Sequence, residues 1–314
     1  MSKITEHFQL YLKATESAAI AAAKLRGNGD GKAADKVATE AMRQVLQNSE
    51  IHTRVVIGEG ERDDAPMLYI GEEMGDLKSD LKIDIAVDPL EGTNFAANNL
   101  PGALSVIAIA EKNNLFNAPE TYMEKISAKV NEKGIIDLDY SVKENIFNLS
   151  EYLNKKPENI TACVMDRPRH KDIINELNIL GVNIKLITDG DVSGALLVTD
   201  DKYGVDIFLG TGGGPEGVLA SAALDTFECC FQGRFLFHTE KDKRRAHKMG
   251  ISNLKKKYEL DEIVKGDSIF CATGITSGDL VSGIRNENNG LISETFVTHK
   301  STGLKKIIRK VVNR

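Results

Sequence analysis

Proline and cysteine are scarce in this sequence, and it contains neither a long apolar run nor a surplus of basic residues. The 314 residues include 7 prolines against 27 glycines, which favours an α/β chain with many tight turns over a proline-rich all-β chain. The four cysteines, Cys163, Cys229, Cys230 and Cys271, form no C-x-x-C pair. We therefore expect neither disulfides nor a structural zinc site, and a reducing cytoplasm fits this composition.

The charge and the hydropathy argue against two further classes of protein. Lys and Arg number 40 and Asp and Glu number 46, so the net charge is −6, whereas a dedicated nucleic-acid binder carries a basic surplus. The basic segment 300–314 is more typical of a solvated helix face or a sheet edge. No run of 18 apolar residues occurs, so we expect no membrane span. Residues 1–7 lack the apolar segment of a secretory signal.

Hydrophobic periodicity predicts helices and strands in two different arrangements. The first half contains helices near 4–24 and 34–45, separated by a glycine-rich break, and strands at 55–57, 83–87 and 103–110. The second half alternates: strands at 160–165, 183–187 and 205–209 are followed by helices at 170–180, after 192 and after 215. This alternation predicts a largely parallel sheet whose functional groups lie at the carboxyl ends of its strands.

These patterns together predict an α/β protein with two parts. Residues 1–155 form an α+β half, and residues 156–314 form a largely parallel α/β half. The boundary is placed at the polar stretch 150–158, because a polar connection is typical of an exposed linker. No internal repeat and no low-complexity segment is present.

Three predicted strands end in carboxylates set among small residues. These are Glu59 and Glu61 after the first strand, Asp88 and Glu91 after the second, and Glu216 after strand 205–209, and Asp35 at the start of the second helix could join them. Mg²⁺ prefers hard oxygen ligands, and glycines allow a phosphate to approach the backbone closely. Without a cation such carboxylates would repel one another. One such loop alone would be a solvated turn, but three of them favour a metal site.

Residues 88–93, Asp-Pro-Leu-Glu-Gly-Thr, form the most specific string in the chain. The string resembles the second motif of the lithium-sensitive, Mg²⁺-dependent phosphomonoesterases, which include inositol monophosphatases and sugar bisphosphatases. Further strings resemble the class II fructose-1,6-bisphosphatases of the GlpX type, in the order found in that family. They lie at 27–35, 56–72, 117–125, 167–170, 189–192, 212–217 and 272–276. The resemblance extends from about residue 10 to residue 300, nearly the whole chain.

This resemblance implies a fold, a reaction and a site. The fold is the layered sugar-phosphatase fold, and the reaction is hydrolysis of the 1-phosphate of fructose 1,6-bisphosphate to fructose 6-phosphate and phosphate, a step of gluconeogenesis that needs Mg²⁺ or Mn²⁺. The implied metal ligands are Asp35, Glu59, Asp88, Glu91 and Glu216, and the implied catalytic residues are Thr93 and Glu61. The implied substrate contacts are Glu91, Gly92, Thr93, Tyr122, Arg167, Pro168, Arg169, Asp189, Gly190, Asp191 and Gly213.

The chemistry of these side chains agrees with the implied roles. Divalent cations polarise a phosphoryl group and acidify bound water. Arg169 can bind a phosphate through two nitrogens, Tyr122 can donate to the distal phosphate, and Asp189 and Asp191 can accept hydrogen bonds from sugar hydroxyls. Thr93 either attacks or lies next to the attacking water. We expect catalysis in a cleft between the two halves.

Two other substrates and one other class of enzyme remain open. Sedoheptulose 1,7-bisphosphate or an inositol phosphate could replace fructose 1,6-bisphosphate. Residues 212–217 also fit G-x-G-x-x-G, which suggests a nicotinamide-dependent oxidoreductase, although Glu216 would place an anion where a pyrophosphate must bind. We expect a cytoplasmic homodimer or homotetramer that acts on a small sugar bisphosphate and binds neither nucleic acid nor membrane.

Overall fold

The computed structural model describes residues 3–60, 65–287 and 290–312. Residue contacts divide the chain into two compact units, Met1–Asn117 together with Val264–Arg314, and Ala118–Ile263. This division differs from the boundary expected at 150–158, a stretch that lies inside the second unit. The polar residues there only connect a helix to the next strand, while the last strands of the chain pair with the first sheet. A polar composition marks an exposed loop and does not show which sheet the following strand joins.

The helices and strands of the described residues follow in chain order. The helices are α1 (Phe8–Ala23), α2 (Gly31–Gln47), α3 (Thr93–Ala97), α4 (Val142–Leu153), α5 (Lys171–Ile179), α6 (Asp191–Leu196), α7 (Gly214–Leu224), α8 (Glu240–Lys248) and α9 (Leu260–Ile263). The strands are β1 (His52–Ile57), β2 (Glu73–Met74), β3 (Lys82–Glu91), β4 (Leu104–Glu111), β5 (Tyr122–Ala128), β6 (Thr161–Met165), β7 (Asn183–Ile187), β8 (Ile207–Gly213), β9 (Cys230–Leu236), β10 (Lys257–Glu259), β11 (Ser268–Gly274), β12 (Arg285–Glu287), β13 (Gly290–His299) and β14 (Leu304–Val312). Within this part of the chain, no helix is long and apolar enough to cross a membrane.

The first unit is built on a mixed sheet covered by helices. Its strand order is β12-β13-β11-β4-β3-β1-β2, with β14 paired to β13. Strands β1 and β3 run parallel, whereas β4 is antiparallel to both β3 and β11. The apolar run of β4 is buried as far as Ala110 because it lies in the middle of this sheet. The basic segment predicted to be either a solvated helix face or a sheet edge forms the partly exposed edge strand β14.

Helix α2 follows the helical hydrophobic period closely. Its buried side chains include Ala34, Ala38, Met42 and Leu46, four positions apart, so they share one face. The helix begins where Asp30 Oδ1 accepts a hydrogen bond from Ala33 N at 2.9 Å, which satisfies one of its free amide groups. Helix α2 packs against β3 and α3.

The second unit contains a sheet of strand order β10-β9-β5-β8-β6-β7. The three predicted strands of the second half are β6, β7 and β8, and they run parallel as expected. The antiparallel strands β5, β9 and β10 extend this sheet. The predicted α/β class is therefore confirmed, with two mixed sheets in place of one α+β half and one largely parallel half.

Candidate active site

Two predicted metal ligands lie near the carboxyl ends of neighbouring parallel strands in the first unit, Glu59 just after β1 and Asp88 in the last part of β3. Ile57 of β1 is opposite Ala86 of β3. Glu59 and Asp88 each follow two residues later, so the register brings their backbones to the same edge of the sheet. Both residues take part in interactions within the structure.

Residues 88–93 lead from the end of β3 into α3, and this segment, called the 88–93 turn, is held by its own polar groups. Asp88 Oδ1 accepts a hydrogen bond from Leu90 N at 3.0 Å, and Thr93 Oγ1 donates to Leu90 O at 3.2 Å. Gly92 adopts φ 79°, a left-handed conformation that favours glycine. The Glu91 side chain is buried. The turn therefore fixes the predicted ligands and the predicted catalytic hydroxyl before any substrate binds.

Helix α2 brings Asp35 to the same part of the first unit. A Cβ atom on Gly31 would lie 2.7 Å from Thr93 Cγ2, so the start of α2 lies directly against the 88–93 turn. Asp35 is half-buried one turn further along α2, and desolvation by this burial raises the pKa of its carboxyl group. A bound cation would offset that cost because it favours the charged carboxylate.

Glu216 lies in the second unit, beside a buried ion pair. Lys125 Nζ binds Asp191 Oδ2, and the two residues are 1% and 6% exposed. Burial raises the pKa of Glu216, and the charge of Lys125 opposes this rise. Asp191 Oδ1 and Glu216 Oε2 are buried without a hydrogen-bond partner among the described residues. Asp191 and Glu216 thus each keep one buried oxygen without a partner, and a cation would fit these oxygens.

The glycines of residues 212–214 allow these carboxylates to lie against the backbone. A Cβ atom on Gly212 would lie 1.9 Å from Asp191 Oδ2, and one on Gly213 would lie 1.8 Å from Glu216 Oε2. No real Cβ atom approaches an oxygen so closely. An alanine at Gly212 or Gly213 would therefore force the carboxylate of Asp191 or of Glu216 to move.

The predicted phosphate-binding side chains meet in the second unit. The guanidinium carbon of Arg169 lies 4.9 Å from the centre of the Tyr122 ring, a cation–π geometry. Arg169 Nε also donates to Thr211 O at 2.8 Å. Pro168 begins the short turn Pro168–His170 that presents this arginine. Arg169 and Tyr122 are both exposed, so a ligand can reach them.

The remaining predicted contacts of the second unit have local partners. Arg167 Nη1 donates to Asp166 O at 3.2 Å, and Asp189 Oδ1 accepts from Gly190 N at 3.1 Å. Gly190 has φ 82° and precedes Asp191, the first residue of α6. Asp191 itself is held by Lys125, so its carboxylate is fixed rather than free to rotate.

Two residues of this unit received no role from the sequence. Lys125 is almost fully buried in β5, next to the buried Ile126. A lysine within a buried strand is a signal that sequence inspection could have used, because buried lysines are almost always paired. His170 is also buried, and both of its ring nitrogens have backbone partners. Its histidine side chain gives no such signal, since histidines are common both inside and outside proteins.

The predicted ligand set fits a hard cation by its chemistry, because it consists only of carboxylates. Within the described residues, no group of three or more Asp, Glu, His or Cys side chains is arranged to hold a metal ion. Asp35, Glu59, Asp88 and Glu91 belong to the first unit and Glu216 to the second. Glu61 lies outside the described residues.

The sequence comparisons with known proteins agree on one family. Residues 7–312 match the family described as bacterial fructose-1,6-bisphosphatase, glpX-encoded. A D-fructose 1,6-bisphosphatase class 2/sedoheptulose 1,7-bisphosphatase of Synechococcus sp. (strain JA-3-3Ab) is 41% identical over 310 residues, covering 91% of this chain and 89% of that protein. The protein of the same name in Synechocystis sp. is 40% identical over 324 residues, covering 96% and 94%. The solved structure of extragenic suppressor protein suhB from Bartonella henselae aligns with a TM-score of 0.35 and 13% identity, over 63% of this chain and 73% of that one.

Proposed function

The chain belongs to the family of bacterial, glpX-encoded fructose-1,6-bisphosphatases, and we propose that it hydrolyses the 1-phosphate of fructose 1,6-bisphosphate to fructose 6-phosphate and phosphate. The observation that carries this proposal is the family match over residues 7–312. Relatives about 40% identical cover nine-tenths of the chain or more and bear the matching name. The reaction class is that of a phosphoric monoester hydrolase.

Divalent cations, Mg²⁺ or Mn²⁺, bound by the predicted ligands Asp35, Glu59, Asp88, Glu91 and Glu216, would stabilise charge on the phosphoryl group and acidify a bound water. The protein supplies the orientation of the nucleophile. Because Thr93 Oγ1 donates its proton to Leu90 O, its lone pairs are available to accept a hydrogen bond from the attacking water. Glu61 stays a predicted catalytic residue. Mg²⁺ or Mn²⁺ as the cation, a homodimer or homotetramer, and the cytoplasm as location stay predictions too.

Recognition of the rest of the substrate falls to the second unit. Arg169 and Tyr122 are exposed and in contact, and together they offer a charged and a neutral donor to the distal phosphate. Asp189 and Asp191 suit sugar hydroxyls, which can donate to carboxylate oxygens. These contacts would distinguish a bisphosphate from a monophosphate, since a monophosphate lacks the group that Arg169 binds.

A second substrate, sedoheptulose 1,7-bisphosphate, is supported by the relatives, whose name includes both activities. The two sugars differ by one carbon and carry phosphates at both ends, so the same donors suit both of them.

The test is phosphate release from a panel of substrates with Mg²⁺ or Mn²⁺ present. The panel contains fructose 1,6-bisphosphate, sedoheptulose 1,7-bisphosphate, inositol 1-phosphate and fructose 6-phosphate. We expect the highest kcat/KM for fructose 1,6-bisphosphate and little release from fructose 6-phosphate, which serves as the monophosphate control. A higher kcat/KM for inositol 1-phosphate than for either bisphosphate would contradict the proposal.

A further inference from the structure

His170 is a buried histidine in the string 167–170, and it contacts Thr211, the residue just before the string 212–217. It directly follows Arg169 and is 1% exposed. Its Nδ1 lies 2.7 Å from Met165 O, and its Nε2 lies 2.8 Å from Thr211 N. A backbone carbonyl only accepts and a backbone amide only donates, so Nδ1 carries the proton and Nε2 accepts. The partners therefore specify the neutral Nδ1–H tautomer.

The backbone of Thr211 is held on both sides of its Cα atom, at its N–H and at its carbonyl. Its N–H donates to His170 Nε2, and its carbonyl accepts from Arg169 Nε at 2.8 Å. Gly210 has φ 150°, and a Cβ atom there would lie 3.0 Å from His170 Nε2, so the ring fills the space that a side chain would need. The Thr211 backbone thus links His170 to Arg169, the arginine that contacts Tyr122.

The residues that follow Thr211 contact two carboxylates of the second unit. Thr211 is followed by Gly212 and Gly213, whose backbones lie against the side chains of Asp191 and Glu216. A shift of the Thr211 backbone would therefore move the carbonyl that Arg169 binds. It would also move the backbone of Gly212 and Gly213, which packs against Asp191 and Glu216.

We propose that His170 is a positioning residue for recognition of the distal phosphate, acting on Arg169 through the backbone of Thr211. This inference rests on the proposed function. His170 does not act as the acid or base of the reaction, because both ring nitrogens are bound to backbone groups. Burial lowers the pKa of His170, which keeps the ring neutral and Nε2 free to accept. The charged groups that act on it are Arg169, which lowers the pKa, and Asp191, which raises it.

Two substitutions separate the two hydrogen bonds of the ring. The amide of His170→Gln reaches the position of Nε2 and can still accept from Thr211 N. The amide of His170→Asn reaches only the position of Nδ1, so it keeps the bond to Met165 O and loses the bond to Thr211. We expect His170→Asn to lower kcat/KM for fructose 1,6-bisphosphate about 10-fold, mainly through KM, the size of effect that one lost hydrogen bond produces. His170→Gln should stay within about 3-fold of the unsubstituted enzyme.

A double-mutant cycle with Arg169→Ala tests the route of the effect. If His170 acts through Arg169, His170→Asn has little further effect on KM once the guanidinium is gone. A purely structural histidine would instead lower kcat/KM by the same factor in both backgrounds, and such additive losses would overturn the proposal.

Hydrogen exchange is measured without substrate, so its outcome tests the link from His170 to Arg169 independently of the proposed function. Hydrogen exchange at Thr211 N–H and Arg169 Nε–H, followed by ¹⁵N NMR, should be at least about 10-fold faster in His170→Asn than in His170→Gln. Unchanged Arg169 Nε–H exchange in His170→Asn would refute the positioning role, even if the enzyme hydrolyses fructose 1,6-bisphosphate. Absence of that hydrolysis in the unsubstituted enzyme would refute the proposed function, and the exchange rates would still decide the link from His170 to Arg169.

The unsubstituted protein provides a further measurement if His170→Asn does not fold. The ¹⁵N shifts of the His170 ring should show a neutral Nδ1–H tautomer at pH 7. An Nε2–H tautomer or a protonated ring would overturn the proposal, because neither can accept from Thr211 N.

Discussion

Arg169 contacts an aromatic ring and a backbone carbonyl, and its two terminal nitrogens are the donors with which it would bind a phosphate. Removing the guanidinium in Arg169→Ala should lower kcat/KM for fructose 1,6-bisphosphate by roughly 10- to 150-fold, the range for a lost charge-assisted hydrogen bond. Steady-state kinetics on fructose 1,6-bisphosphate and on a simple monophosphate check this. Lys171→Ala, an exposed neighbour, is the control. Equal losses on both substrates would mean that Arg169 does not bind the second phosphate.

Thr93 combines a hydrogen bond to Leu90 O with a place at the start of α3. We expect Thr93→Ala to lower kcat by roughly 10²-fold or more, because its hydroxyl assists the nucleophile. KM should change little, since other groups hold the phosphate. Thr93→Ser keeps the hydroxyl and should retain part of the activity. An unchanged kcat in Thr93→Ala would show that the hydroxyl only caps the turn.

Lys125 is ion-paired with the buried Asp191, and its charge also acts on Glu216. Lys125→Met should lower the free energy of unfolding by about 3–5 kcal/mol, because it leaves Asp191 and Glu216 without a compensating charge. Urea denaturation followed by circular dichroism measures this. Lys129→Met, an exposed lysine one residue after β5, should change stability by no more than about 0.5 kcal/mol. Similar small effects of both substitutions would contradict the role of Lys125.

The end of β8 contains Gly212, which leaves room for the Asp191 carboxylate to lie against the backbone. Gly212→Ala would push a Cβ atom into the Asp191 carboxylate, which cannot retreat because Lys125 holds it. We expect kcat/KM to fall at least about 10-fold, with a stability loss of about 1–3 kcal/mol from overpacking.

Gly204→Ala is the control for the Gly212 substitution. Gly204 has φ 65° and no atom within 4 Å of an added Cβ, so this variant should lose stability through backbone strain and keep its activity. If Gly212→Ala also keeps its activity, the position of the Asp191 carboxylate does not matter for catalysis.

For the whole molecule, the carboxylate ligands predict dependence on a divalent cation. EDTA should abolish phosphate release, and Mg²⁺ or Mn²⁺ should restore it. Cation binding to the folded chain should raise Tm, by the equivalent of about 2.7 kcal/mol at 100 times Kd. Asp88→Asn should reduce the Tm shift while circular dichroism stays unchanged. Full activity in chelator would refute the metal dependence, and an unfolded Asp88→Asn would show that the carboxylate serves the fold.

Local patterns in the sequence determined the class of the protein and predicted the residues of its candidate site. The string 88–93 and the glycine-rich string 212–217 point to phosphate chemistry because the spacing of acids and glycines within a turn is a local property. The strands β6, β7 and β8 were predicted, with their parallel direction, because alternation of strands and helices requires crossover connections. The identity of the family follows from these same strings.

Only the tertiary structure decided which strands pair and which polar groups are buried. Strands β11, β13 and β14 return to the first sheet, and the hydrophobic pattern of a strand does not specify its partner. The pairing of Lys125 with Asp191 joins residues 66 positions apart, and His170 meets Thr211 across 41 positions. These contacts form because buried polar groups must find partners once the sheet has closed around them, and that requirement arises only after folding.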